Sequence, residues 1–61
     1  MTPQVLIKRR ENKLHQADVA KMIGRSEQYY RERENGKREF TIKEGKILAG
    51  IYDCTLDELF N

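Results

Sequence analysis

Cysteine occurs once, at Cys54, so no internal disulfide can form. Histidine also occurs once, at His15, and one Cys with one His cannot supply the four ligands of a structural zinc site. No metal and no cofactor are therefore expected. Proline is confined to Pro3, so no helix further along the chain is interrupted by one. The first apolar run, Val5-Leu6-Ile7, is too short for a membrane span or a signal segment, which points to a cytoplasmic protein with a reduced Cys54 and no membrane partner. Four glycines, none in a phosphate-binding loop, and a single His and Cys leave no catalytic constellation. An enzyme is not expected, and no small-molecule ligand is evident. Sustained strand-like alternation is missing as well.

A chain of 61 residues without staples must rely on efficient helix packing or on a second subunit. Charged residues make up 36% of it, with a net charge of +2. The distribution is uneven: residues 1–40 hold ten Lys/Arg against six Asp/Glu, whereas residues 41–61 hold two against four. A basic half suggests a side that faces a polyanion. A solvated, salt-bridge-laced helical surface would give the same composition.

The pattern reads as five short helices in one domain spanning 1–61. The first runs roughly from Pro3 to Asn12, with Thr2 as a candidate cap. The second runs from Gln16 to about Ile23, with Val19, Ala20 and Ile23 as its apolar stripe and Gly24 as its stop. Ser26 caps the third, which ends near Asn35-Gly36. Thr41 with Glu44, and Thr55 with Glu58, are capping-box patterns that open the fourth and fifth. The fourth carries Ile42, Ile47, Leu48, Ile51 and Tyr52, the fifth Leu56, Leu59 and Phe60. Cys54, between them, reads as a small buried apolar residue.

The informative spacing is Gln16…Ala20…Gly24, followed by Tyr30 six residues later. Two helices crossing steeply need a small residue where they approach, and Ala20 is one. The turn needs a positive φ, which Gly24 supplies. Tyr30 is the apolar anchor that would hold the third helix to the second. Such a pair can project its second helix into a major groove.

With these features the chain resembles the phage-repressor/Cro (Xre-like) helix-turn-helix family over about Val5 to Phe60. The resemblance rests on an Arg late in the first helix, Leu14, Gln16…Ala20…Gly24-x-Ser26, Glu34-Asn35-Gly36-Lys37-Arg38, and Cys54-Thr55-Leu56-Asp57-Glu58-Leu59-Phe60. It implies an all-α fold: a compact bundle of five short helices of the lambda-repressor-like kind, with the helix-turn-helix at about 16–35. It further implies that Gln16 contacts a phosphate and braces the recognition helix, and that Glu27, Gln28 and Glu32 face bases. Ser26 and Tyr29 fall near the nucleic-acid backbone, and Lys37 and Arg38 in a phosphate-gripping loop. Glu34 matches a structural acid paired with an arginine of the first helix, Arg9 by register, with Arg10 the fallback. Ala20, Gly24 and Tyr30 are the structural positions.

Departures from the family pattern are Arg25 in the turn, Arg33 in the third helix, Lys8, His15 in place of a Ser/Thr cap, and Phe40. Arg25 and Arg33 can bury their stems and extend a cationic rim, at a cost in packing that predicts low stability. Gln28 can take adenine bidentately, and Glu27 and Glu32 can accept from cytosine unless Glu27 pairs with Arg31 instead. The expected function is sequence-specific binding of double-stranded DNA by a transcription regulator, a repressor in the first instance. It would act as a homodimer on a palindromic operator, with Ile7, Ile51, Tyr52 and Phe60 available for the dimer face. The alternative is a protein-interaction module of the same fold, an antitoxin or antirepressor.

Overall fold

The computed structural model describes residues 3–60, and among them every regular element is helical. The helices are α1 (Gln4–Glu11), α2 (Gln16–Met22), α3 (Glu27–Glu34), α4 (Ile42–Tyr52) and α5 (Leu56–Phe60). Thr2 lies outside the described residues. Pro3 occupies the N-cap of α1 in an extended conformation. Lys8, Arg9 and Arg10 crowd the last turn of α1, where cations oppose the negative end of the helix dipole.

Three helices stop in the same way, with two reversed backbone bonds over a left-handed residue. After α1 these are Lys13 N–H to Arg10 O at 3.0 Å and Leu14 N–H to Arg9 O at 3.2 Å. After α2 they are Gly24 N–H to Lys21 O at 3.1 Å and Arg25 N–H to Ala20 O at 2.9 Å. After α3 they are Gly36 N–H to Arg33 O and Lys37 N–H to Glu32 O. This is the Schellman arrangement, which satisfies carbonyls that a helix end would leave bare. Gly24 takes φ +72 at its turn, where a Cβ would be strained. Lys13 takes φ +57 without being glycine, and so does Asp53 at φ +53 after α4.

The starts are equally local in origin. Ser26 accepts from Tyr29 N–H at 3.1 Å. Thr41 and Glu44 form a reciprocal box at 3.0 and 3.1 Å. Thr55 and Glu58 do the same at 2.9 and 3.1 Å. At α2 the reciprocal half is present, His15 N–H donating to the Asp18 carboxylate at 2.9 Å.

The core is Val5, Val19, Ala20, Ile23, Tyr30, Leu48, Tyr52 and Leu59, with Leu14, Phe40, Ile47, Ala49, Ile51 and Cys54 packed on its edge. Every helix contributes to it. Tyr52 is 5% exposed and its hydroxyl meets that of Tyr30 at 3.3 Å, so it is not available for a dimer face as the sequence suggested. A phenol at the end of an amphipathic helix is ambiguous until a partner for its hydroxyl is known, and here Tyr30 is that partner. Ile42, by contrast, is 75% exposed although it opens an apolar helix. It joins Leu56 and Phe60, also exposed, along a surface cavity that Val5 and Phe40 help to line. Gly45 lets α5 close on α4, since a Cβ there would lie 3.1 Å from both Leu56 and Phe60.

Candidate nucleic-acid interface

The α2–turn–α3 unit is held from beneath by one buried ion pair. Arg9 of α1 donates Nε to Glu34 Oε2 at 2.8 Å and Nη2 to Glu34 Oε1 at 3.0 Å. Its third nitrogen donates to Leu14 O at 2.8 Å, so one guanidinium ties the last residue of α3 to the loop before α2. Arg10, next in sequence, is exposed. Gln16, at the first position of α2, donates to Glu34 Oε1 at 3.0 Å and accepts from Arg31 Nε at 3.3 Å. Its amide therefore bridges the buried acid and the exposed face of α3.

Burial pushes the Glu34 carboxyl up, but the hydrogen bonds, that from Arg9 foremost, outweigh it and hold the group below the usual carboxylate range. Arg9 is raised by the same contact. Glu44 behaves like Glu34: burial raises it, but bonds from the Thr41 backbone, Tyr29 and Arg25 outweigh that and hold it below the usual carboxylate range. A carboxyl held low in the folded state stabilises the fold above its ordinary value, and loses that contribution as pH falls through the lowered one. Thermal midpoints followed by circular dichroism are therefore expected to be level around neutral pH and to fall steadily below about pH 4.5. A midpoint unchanged down to about pH 2 would contradict the two depressed carboxyls.

On the outer face, Glu27 and Gln28 stand exposed in the first turn of α3, and Glu32 is half-exposed one turn on. Glu27 is engaged by Arg31 at 2.9 Å, an i,i+4 pair that neutralises it. Among the described residues the one cation paired with Glu32 is Arg33, at 3.9 Å. The Gln28 amide makes no hydrogen bond among the described residues. Lys37 and Arg38 are exposed in the loop after α3. Ser26 spends its oxygen on the cap but is itself exposed. Tyr29 turns toward α4: its hydroxyl donates to Glu44 Oε2 at 2.7 Å.

Arg25 follows it, with Nε on Glu44 Oε2 at 3.0 Å and its guanidinium 4.7 Å from the Tyr29 ring centroid. Arg33 lies closer on the same ring, at 3.3 Å, with its Nη1 donating to Tyr29 O at 3.3 Å. The sequence reading missed Glu44 as anything beyond a capping residue. Its second role joins residues 15 and 19 positions away, for which no local pattern exists.

The helix-turn-helix family model matches residues 5–59. A search of curated proteins and a search of solved structures each returned no match.

Proposed function

The chain belongs to the helix-turn-helix family, whose members are DNA-binding regulators, and from that premise we propose that it is one domain that reads a specific duplex sequence as a repressor. In this reading α3 enters the major groove. An α-helix is about 10–12 Å across with its side chains, which fits a groove about 12 Å wide. The observation that carries the proposal is the state of Gln28. It is exposed on the first turn of the second helix of the motif, and its amide is unspent. A free carboxamide there can donate to and accept from adenine N7 and N6 at once.

Grip and reading are separated in space. Glu27 is paired with Arg31, so the centre of the face carries little net charge. The cations lie at its edges, Arg25 before α3 and Lys37 and Arg38 after it. Phosphate contacts at the edges position the helix, and base contacts at the centre specify. Gln16 holds the same helix from the α2 side and is placed to brace it.

A second copy on a two-fold-related site would double the contacts of so small a surface. Of the expected dimer face, Phe60 is 47% exposed beside Leu56 and Ile42, and Ile7 and Ile51 are half-buried. The alternative, an antitoxin-like or antirepressor module, draws on the acidic residues of α3. Arg31 weakens it by neutralising Glu27.

Titration of duplex DNA across a salt series tests the arrangement. The logarithm of affinity is expected to fall linearly with the logarithm of salt. Lys37→Ala and Arg38→Ala should each flatten that line by about 0.9, one phosphate contact apiece, with no change in base preference. Slopes equal to wild type in both variants would remove the loop from the interface. A stoichiometric protein partner with no DNA shift would favour the interaction module.

A further inference from the structure

Glu44 sits on the first turn of α4, 4% exposed, with both oxygens occupied. Oε1 accepts the Thr41 N–H at 3.0 Å, so the carboxylate is pinned to its own helix start. Oε2 takes the Tyr29 hydroxyl at 2.7 Å and the Arg25 Nε at 3.0 Å. The Tyr29 ring carries two guanidinium groups, and the two have different fates. The Arg33 side chain is 14% exposed, lies on the ring and gives Nη1 to the Tyr29 carbonyl, with its buried Nε unpartnered among the described residues. The Arg25 side chain is 50% exposed, and among the described residues nothing accepts a hydrogen bond from its terminal nitrogens.

We propose that Glu44 is a positioning residue for DNA binding, which through Arg25 and the Tyr29 ring sets the Arg25 guanidinium as a two-pronged phosphate grip at the leading edge of α3. The inference rests on the DNA-binding reading above. A guanidinium is planar and carries its donors in a fixed fork. Anchoring Nε on a buried carboxylate, with the plane resting near an aromatic ring, leaves the two terminal nitrogens as the part that faces outward. Two parallel donors match two oxygens of a phosphate. A long side chain ordered before binding loses less freedom when it binds. Arg25 directly precedes the Ser26 cap, so the fork lies beside the first turn that carries Gln28. Grip and reading residue then share one rigid mount on α4. The competing possibility is that Glu44 merely neutralises Arg25, in which case Arg25 contributes nothing to phosphate.

A random-sequence duplex pool serves as the probe, because a phosphate grip does not need the operator. Fluorescence anisotropy across a salt series compares wild type, Arg25→Ala, Glu44→Gln and the double variant, each checked for its helical circular dichroism. Arg25→Ala is expected to flatten the salt line by about 0.9. Glu44→Gln is expected to weaken binding at least about threefold when Arg25 is present, and to change it little when Arg25 is already Ala, the signature of coupled residues. Tyr29→Phe keeps the ring and removes the hydroxyl. It carries the same cycle should Glu44→Gln fail to fold, and should weaken binding only in the Arg25 background. Equal losses in both backgrounds would make Glu44 a purely structural residue and overturn the proposal. So would an unchanged slope in Arg25→Ala, or tighter binding by Glu44→Gln. Wild-type protein that binds no duplex at all would instead sink the DNA-binding reading, and this inference with it.

Discussion

Arg9→Ala is expected to abolish most of the folding stability. Arg9 and Glu34 form a bidentate pair at 2.8 and 3.0 Å, with the Glu34 side chain 0% exposed. Removing one partner leaves the other charge buried and unpaired, which costs about 3–5 kcal/mol. A chain of this length has only about 3–9 kcal/mol to lose, at roughly 0.05–0.15 kcal/mol per residue. The variant also frees the Leu14 carbonyl, which Arg9 bonds at 2.8 Å, and so loosens the approach to α2. Glu34→Ala should be comparably damaging, because Gln16 loses its acceptor as well. Arg10→Ala, on the exposed neighbour, should stay within about 0.5 kcal/mol of wild type. Urea unfolding followed by circular dichroism separates these cases. A loss below about 1 kcal/mol for Arg9→Ala would mean that the pair does little more than a surface salt bridge.

Gln28→Ala is expected to leave the fold intact and damage recognition at one place. Gln28 is exposed and its side chain makes no hydrogen bond within the described residues, so its truncation removes nothing the core depends on. If its amide reads adenine, affinity for the preferred site should drop by about 1–3 kcal/mol. The drop should shrink or vanish on duplexes already changed at the base pair it contacts, because the lost bonds are then absent from both sides of the comparison. Affinities of wild type and variant across a set of single-base-pair operator variants locate that position. A loss of equal size on every sequence would show that Gln28 contributes to holding DNA and not to reading it.

What the sequence disclosed, and what it did not, divides by range. Capping at Thr41/Glu44 and Thr55/Glu58 depends on residue types three apart, and was legible for that reason. So was the stop at Gly24, since a left-handed turn favours the one residue without a Cβ. The five-helix order followed from these local signals. Lys13 and Asp53 adopt the same left-handed backbone with no glycine to announce it, so the left-handed turn there was not marked, although the end of the first helix near Asn12 was.

Longer-range choices were less visible. Arg9 and Arg10 are the same residue type side by side, and only the approach of α3 decides which of them meets Glu34. Tyr52 is inside, its hydroxyl 3.3 Å from that of Tyr30, a contact between residues 22 positions apart that no local pattern announces. Glu44 had already been given a role as a cap, and nothing local hinted that its other oxygen holds Arg25 and Tyr29. The two unexpected arginines were legible as departures, but not the shared tyrosine that separates their fates.

The central claim is that the exposed face of α3 reads sequence in duplex DNA, and the most direct measurement is selection of bound duplexes from a random pool, followed by titration of selected against random DNA at one fixed salt concentration. A recurrent motif bound about 10³-fold or more tightly than random sequence is expected. Affinities within about tenfold of each other, with no motif enriched, would contradict it.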